Sequence, residues 1–242
     1  MSRQYLRSEH YVYPAKALNG IPSVPADNQM SVIAASASNS SGSAIDVAIL
    51  RKFASNNYEI YAAESGNADL NAIKDGTATS IIDNDNDDGF IIESPDLFNL
   101  IGLNITQADG GGATYAFEYW NGSAYAALTA QKEAASMSST GNSLLLALSE
   151  LSWVQNTSVS GSGAQVYSLR VSATTAGAAV VIADALYVGQ ILEYVEALAD
   201  NARAELLFEQ HPLLLAGGES IMPYFATANA ANMASISYKY NE

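Results

Sequence analysis

Cysteine is absent from the 242 residues, and histidine occurs only twice, at His10 and His211. Without cysteine the chain has no disulfides, thiol nucleophiles or thiolate metal sites, so its folding does not depend on the redox compartment. Neither histidine stands in a partner pattern that would indicate a Ser-His-Asp triad or a multi-histidine metal site. A Walker loop, a GxGxxG turn, an HExxH helix and a GxSxG elbow are also missing. We therefore expect a protein that is not an enzyme.

Basic residues are scarce as well. The chain has 10 Lys and Arg against 25 Asp and Glu, which gives a net charge of -15. Such a surface repels phosphate backbones, so nucleic acid is not an expected partner. No stretch reaches the roughly 20 apolar residues of a membrane span, and none near the start resembles a signal peptide. We expect a soluble protein, made in a cytoplasm, that binds neither nucleic acid nor membrane.

Hydrophobic residues are plentiful, at 49% of the chain, and can form a sizeable core without a metal or cofactor. They alternate with small or polar residues in many short segments, as in the run through Ile45, Val47 and Ile49. This period of two is typical of half-buried strands, and clusters of Gly, Ser and Asn separate the segments. Strands at such spacing without intervening helices predict an all-β protein built as an antiparallel β-sandwich.

Two turns stand out between these strands. The cluster SNSSGS at 38–43 predicts a hairpin tip. Asn121-Gly122 predicts a two-residue turn, since both residues tolerate the positive φ angles of a tight hairpin.

Residues 190–208 are ambiguous. Their apolar residues recur at steps of three and four, as on one face of a helix, but strands broken at ADNA fit equally well. Helix and strand both stay open for this segment, whose apolar positions are Leu192, Val195, Leu198, Ala202 and Leu206.

The first 28 residues are predicted to form an extended arm. Pro14, Pro22 and Pro25 disfavour helices and central strands, while tyrosines supply contact area. One reading lays the arm on its own domain. The other, which a basic arm on an acidic body favours, extends it to a neighbouring subunit. In that reading deletion of residues 1–25 leaves the fold intact, and the partner-binding residues are Arg3, Tyr5, Arg7, Tyr11, Tyr13 and Lys16.

The segment DNDNDDG at 83–89 concentrates acidic residues. Alternating oxygen side chains that end in Gly are typical of a calcium loop, but the EF-hand register fails. Counted from Asp83 the sixth position is Asp88 instead of Gly, and counted from Asn84 the twelfth is Pro95 instead of Glu. We favour a solvated linker without a cofactor, in which exchange of these acids for Asn changes stability little. The alternative is an irregular calcium site formed by Asp83, Asp85, Asp87 and Asp88.

Several segments resemble structural proteins of tailed bacteriophages. The hairpin FEYWNGSAYAAL, followed by LSWV and VYSLRVSATT, is similar to a β-sandwich module of those virion proteins. The match covers about residues 90 to 190, although Tyr125 stands where the pattern more often has Trp. The ends SVIAASASNSSGSAIDVAIL and LLLAGGESIMPYFATANAANMASISY resemble the halves of a small virion sandwich, with an LxxGGE-type turn before the closing hairpin. The module's marked positions are Tyr119, Trp120, Asn121, Gly122, Trp153 and Arg170.

The resemblance implies two jelly-roll-like sandwiches, one inserted in the other. After the arm of residues 1–28, residues 29–82 and 195–242 would form the first sandwich and residues 90–190 the second. An insertion is tolerated because the ends of a domain usually lie close together. Two consecutive domains are the alternative, but neither end alone has enough strands to close a sandwich.

For function, the resemblance implies a capsid decoration or cement protein on the outer surface of the virion head. Its partners would be the major capsid protein and copies of itself, as a homotrimer. A second reading is a tail or head-fibre adhesin that holds a host glycan against Trp120, Tyr125 or Trp153, although core packing is the favoured role for Trp153. A glycoside hydrolase would need two carboxylates ~5 to 9.5 Å apart, and no local pattern marks such a pair.

Overall fold

A computed structural model describes residues 7–12, 24–25, 28–63, 67–83, 85, 88–129, 131–133, 137–147, 153–208, 212–226 and 232–241. Within these ranges the chain forms eighteen strands and two short 3₁₀ helices. The strands assemble into several antiparallel sheets, which confirms the predicted all-β class and is consistent with a β-sandwich. The jelly-roll topology stays a prediction.

The 3₁₀ helices are Ser55–Asn57 and Asn71–Asp75. The first nine strands are β1 (Arg7–Val12), β2 (Gln29–Ser38), β3 (Ile45–Lys52), β4 (Glu59–Ala62), β5 (Thr79–Ile82), β6 (Gly89–Ser94), β7 (Leu100–Gln107), β8 (Thr114–Trp120) and β9 (Tyr125–Ala127). The others are β10 (Gln131–Glu133), β11 (Gly141–Ala147), β12 (Asn156–Thr157), β13 (Gln165–Thr175), β14 (Val181–Leu198), β15 (Arg203–Leu207), β16 (Leu213–Leu215), β17 (Ser220–Phe225) and β18 (Met233–Asn241).

The chain divides into two compact units. Unit 1 comprises residues 1–54 and 189–242, and unit 2 comprises residues 55–188. Residues 55–82, which the sequence analysis grouped with the first sandwich, therefore belong to unit 2, where β4 pairs with β6. That the units are separate domains, one inserted in the other, stays a prediction.

Unit 1 has strands in two sheets. One sheet has the order β1-β18-β2-β15, with β16 also paired to β2. In the other, β3 lies between β17 and the second part of β14. Burial of alternate residues on both sheets removes apolar surface from water, which is the main favourable term in folding. The shared core includes Met30, Val32, Val47, Ile49, Phe225 and Ile236.

Unit 2 also has two sets of paired strands. One has the order β10-β11-β7-β14, with β5 paired to β14, and the other has the order β4-β6-β13-β8-β9, with β12 paired to β13. We call the second set the outer sheet. All six residues of β6 are buried, including the carboxylate residue Glu93. The core side of the outer sheet carries Phe90, Ile92, Phe117, Leu169 and Val171.

The predicted hairpin at SNSSGS is wrong. β2 pairs with β15, β16 and β18, whereas β3 pairs with β14 and β17, so the loop between them crosses from one sheet to the other. Asn39 is fully buried in this crossing and donates its side-chain amide to the carbonyls of Ser43 and Leu198, both at 2.7 Å. Its Oδ1 accepts the N–H of Ser41 at 2.9 Å. One buried side-chain amide thus provides hydrogen-bond partners for three backbone groups around the crossing.

The hairpin at Asn121-Gly122 exists, but its loop has four residues instead of two. Trp120 pairs directly with Tyr125, and Gly122 alone in the loop has a positive φ, at 101°. A two-residue type I′ turn requires positive φ at both central residues. Here the Oδ1 of Asn121 instead accepts the N–H groups of Ser123 and Ala124, both at 3.0 Å, which favours the wider loop.

Residues 190–208 form strands, β14 and β15, with a turn at 199–202. Two register shifts interrupt the pairing of β14 with β3, one at Ile191/Glu193 and one at Val195/Leu198. In the second, Ala197 takes a positive φ of 52° and donates its N–H to the Oδ1 of Asp46 at 2.9 Å. These bulges break the period of two, because each adds a residue without a partner.

The arm contributes to the sheets of unit 1. β1 pairs with β18 over six residues, from Arg7 opposite Tyr238 to Val12 opposite Met233. Val24 is buried in the core, and its carbonyl accepts the N–H of Gly218 at 2.8 Å. The segment from Arg7 to Val12 therefore lies on its own unit, as the first of the two readings has it. Outside the described residues lie Arg3, Tyr5, Tyr13 and Lys16, and the partner-binding role of the arm stays a prediction.

Deletion of residues 1–12 should lower the melting temperature and induce self-association. It would expose the edge of β18, and an unpaired strand edge is a template for another chain. Differential scanning calorimetry and light scattering over a concentration series measure the two effects. Deletion of residues 1–6 is the control, since it leaves β1 in place. Equal melting and equal mass for the two variants would show that β1 does not protect this edge.

Candidate binding site

Among the described residues, no group of three or more His, Asp or Glu side chains is placed to hold a metal ion. Of the described helices, none has the length and apolar character that crossing a membrane requires. His211 lies outside the described residues.

The acidic segment is described at Asp83, Asp85 and Asp88, and Asp87 lies outside the described residues. Asp83 and Asp85 are exposed, and Asp83 accepts a hydrogen bond from the hydroxyl of Ser80 at 3.0 Å. Asp88 is buried instead. Its Oδ1 accepts the N–H of Gly89 at 2.6 Å, and its Oδ2 accepts the N–H of Asp83. Asp88 therefore closes the loop between β5 and β6, while the calcium reading stays a prediction.

Exchange of Asp88 for Asn should lower the free energy of unfolding by about 1–3 kcal/mol, because an amide NH₂ group would face a buried N–H donor. The matched control is Asp85→Asn, which removes an exposed charge and should change stability by less than about 0.5 kcal/mol. Urea unfolding measures both. The structure thus separates Asp88 from Asp83 and Asp85, whereas the favoured reading of the sequence treated all of these acids as solvated.

Calcium is tested on the same proteins by melting with added calcium and with chelator. Equal melting of the wild type in both conditions is expected for a loop closed by Asp88. A calcium-dependent rise in the wild type that Asp85→Asn abolishes would establish the calcium site instead.

The residues of the phage-like pattern meet at the β8–β9 hairpin. The Trp153 ring stacks on Tyr119 with centroids 5.7 Å apart and meets Phe98 edge-on at 5.0 Å. Val154 donates its N–H to the carbonyl of Trp120 at 3.1 Å. Trp153 thus packs on the core side of the hairpin, as its favoured reading predicted.

The opposite face of the same hairpin carries a half-buried aromatic pair. Trp120 and Tyr125 face each other across β8 and β9 and meet edge-on, with centroids 5.5 Å apart. The guanidinium of Arg170 lies 4.6 Å from the centre of the Tyr125 ring and also pairs with Glu118 at 2.6 Å. Arg170 therefore fixes the Tyr125 ring by a cation–π contact. We call Trp120 and Tyr125 the aromatic pair.

Directly paired residues of antiparallel strands lie on the same face, so the register extends this face across the outer sheet. Arg170 on β13 shares its face with Ser168, two residues earlier. Ser168 lies opposite Glu93 on β6, and Glu93 lies opposite Glu59 on β4. The hydroxyl of Tyr125 reaches the Oγ of Ser168 at 3.2 Å. The aromatic pair and Glu93 therefore occupy one face of the outer sheet.

A pocket of about 380 Å³ opens around Glu93 and Glu59. We call it the polar pocket. The described residues that line it include no Lys or Arg. Hydroxyl and amide side chains dominate the lining, among them Asn56, Asn57, Tyr61, Ser158, Ser160, Ser162 and Gln165.

Glu93 is only 2% exposed, and the loop after β12 supplies its hydrogen bonds. Its Oε2 accepts the hydroxyl of Ser158, and its Oε1 accepts the N–H of Val159 at 3.0 Å. The Oγ atoms of Ser158 and Ser160 lie 2.8 Å apart, which continues the network to the rim of the pocket. Glu59 is held by Lys74, whose Nζ lies 3.0 Å from its Oε2.

Two tyrosines on this face have raised pKa values. Burial raises the pKa of Tyr61, the hydrogen bond with Ser160 lowers it, and the charges of Glu59 and Glu93 raise it further. Burial also raises the pKa of Tyr125, where Glu93 adds to the increase while Ser168 and Arg170 act against it. The charge of Glu93 thus acts on tyrosines of both the polar pocket and the aromatic pair.

Sequence reasoning missed the polar pocket. The GSG cluster at 161–163 indicates a turn and GFIIES indicates a buried strand, but neither pattern indicates a pocket. A signal was present, since Glu is almost never fully buried without a partner, and GFIIES places one in an apolar run.

Comparison with known proteins gives no match for this chain among family models, curated proteins or solved structures.

Proposed function

We propose that this chain is a structural protein of a tailed-phage virion, without enzymatic activity. It binds the outer capsid surface as a decoration protein that stabilises the head. Its partners are the major capsid protein and copies of itself, as a homotrimer, and neither nucleic acid nor membrane.

The observation that supports this proposal is the contact among the residues of the phage-like pattern. Tyr119 stacks on Trp153, Asn121 organises the hairpin loop, and Arg170 pairs with Glu118 on the neighbouring strand. These positions are more than thirty residues apart in places, yet each has a structural task in one hairpin region. A pattern that holds a sandwich module together in this way fits a protein whose role is architectural.

Oligomerisation supports firm attachment to a shell. A stable contact needs roughly 800 Å² from each partner, and identical subunits that bind several capsid proteins at once raise avidity by ~10² or more. Closed symmetry prevents growth into fibres.

Cryo-electron microscopy of virions that contain the protein tests the location. A regular array of copies over the head is expected, with trimeric mass for the purified chain by light scattering. A few copies at one vertex, or absence from the particle, would contradict the decoration role.

A second candidate function is a tail or head-fibre adhesin that binds host glycan. The aromatic pair favours it, because Trp120 and Tyr125 are half-buried on an outward face and Arg170 fixes the Tyr125 ring. Aromatic faces of this kind supply large, rigid contact area at low entropic cost. Location at one vertex in the images, with glycan binding by the purified chain, would support this function.

A further inference from the structure

We propose that the polar pocket is a saccharide subsite for a glycan without acidic groups, and that the aromatic pair holds the adjoining sugar. This inference rests on the second candidate function and names its site and ligand class. It does not depend on the location of the protein in the virion.

The lining of the polar pocket fits a ligand rich in hydroxyl donors. Glu93 and the serine oxygens are acceptors, and a carboxylate has about four lone-pair sites, two of which the bonds from Ser158 and Val159 occupy. A ligand hydroxyl at Glu93 would make a charge-assisted hydrogen bond, which is about twice as strong as a neutral one. The volume of about 380 Å³ lies within the range of small-ligand pockets.

The network behind the pocket holds these acceptors in place. The hydroxyl of Ser168 donates to the Oδ1 of Asn156 at 3.1 Å, and Tyr125 joins the same network through Ser168. Because Glu93 lies on a fully buried strand, its carboxylate is fixed before a ligand arrives. A fixed site loses less conformational entropy on binding.

The two parts of the site lie within reach of one oligosaccharide. β8, which carries Trp120, and β6, which carries Glu93, are separated by β13 alone. Two strand spacings correspond to about 10 Å along the sheet. Ser168 lies between them but is fully buried, and its hydrogen bonds to Tyr125 and Asn156 connect the two parts beneath the surface.

Charge sets the expected specificity. Glu93 lines the pocket without a lining Lys or Arg, whereas the charge of Glu59 is paired with Lys74. The carboxylate of a sialic acid or uronic acid would therefore meet the like charge of Glu93. Neutral sugars carry no such penalty. We expect neutral glycans to bind at least tenfold more tightly than acidic ones.

The test uses the complete chain on an array of neutral oligosaccharides of glucose, galactose, mannose and N-acetylglucosamine, with sialylated and uronic-acid glycans alongside. The strongest neutral ligand is then measured by calorimetry against four variants. Glu93→Gln and Ser160→Ala alter the pocket, Trp120→Ala alters the aromatic pair, and Glu205→Gln is the control for net charge on the exposed surface of unit 1. Ser160 is exposed, so its variant separates lost binding from lost folding, and melting curves accompany every titration.

We expect Glu93→Gln and Ser160→Ala to weaken binding at least tenfold and threefold, respectively, with Trp120→Ala also weakened and Glu205→Gln unchanged. Binding that needs Trp120 but is unaffected by both pocket variants, or that favours acidic glycans, would overturn the pocket proposal while the adhesin function stands. Failure to bind any glycan would overturn both.

Discussion

Exchange of Glu219 for Ala should lower the free energy of unfolding by about 3–5 kcal/mol, because it leaves the charge of Arg51 without its partner. Glu219 is 4% exposed, and both of its carboxylate oxygens accept from the Nη2 of Arg51, at 2.7 and 2.9 Å. Its Oε2 also accepts the N–H of Ala216 at 2.8 Å. One substitution thus removes an ion pair and the support of a turn.

The exposed pair of Arg203 and Glu205, 3.2 Å apart, is the matched control. Glu205→Ala should cost less than about 1 kcal/mol, since exposed ion pairs contribute little. A double variant, Arg51→Met with Glu219→Leu, should recover much of the loss, because it removes the unpaired charge along with its partner. Urea unfolding of the complete chain measures all three. A loss for Glu219→Ala no larger than that for Glu205→Ala would show that the buried pair is not a main support of unit 1.

The pair of Arg51 and Glu219 shows which contacts a local sequence pattern cannot predict. The LxxGGE-type turn was recognisable before β17, yet the pattern gave Glu219 no task. In the structure, the turn at 216–219 contacts both Arg51 of β3 and Val24 of the arm. Strands and turns could be predicted from local alternation, whereas these partners lie more than 160 residues away along the chain.

Dependence on a distant partner strand also explains why the sequence of residues 190–208 fits both helix and strand. Leu192, Val195 and Leu198 are spaced by three, and on a regular strand such residues would point to alternating faces. Bulges against β3 shift the phase, so that all three pack at the core of unit 1. A helix-like period can therefore arise in a strand whenever bulges fall between its apolar residues, and their positions depend on the partner strand.

The candidate site was predictable only in part. Trp120 and Tyr125 could be predicted to share a hairpin face, because Asn121-Gly122 marks the turn between them. Glu93 could not be connected with the serines of 158–162, since their contact depends on how β12 pairs with β13. The crossing at Asn39 could not be predicted for a related reason. A loop that connects two sheets and a loop that closes a hairpin use the same turn residues.

Exchange of Gly89 for Ala should prevent stable folding or cost at least about 4 kcal/mol, beyond the usual range for a point mutation. A Cβ at this position would lie 1.9 Å from the carbonyl oxygen of Val171 and 2.8 Å from the Cα of Ser172. Both are backbone atoms of β13, so relief would require separation of β6 from β13. Gly89 also ends the acidic segment, where the sequence suggested the glycine of a calcium loop. The structure instead gives it the task of allowing two strands to approach closely.

Gly42 and Gly189 distinguish this cause from the general effect of replacing glycine. Gly42→Ala meets nothing within 4 Å and should cost only the roughly 1–2 kcal/mol of a left-handed residue, since its φ is 84°. Gly189→Ala should behave like Gly89→Ala, because its Cβ would lie 1.9 Å from the carbonyl oxygen of Arg51 in unit 1. Soluble yield and melting temperature of the three variants, made side by side, give the order. If Gly89→Ala and Gly189→Ala melt no lower than Gly42→Ala, then close strand approach is not what these two positions require.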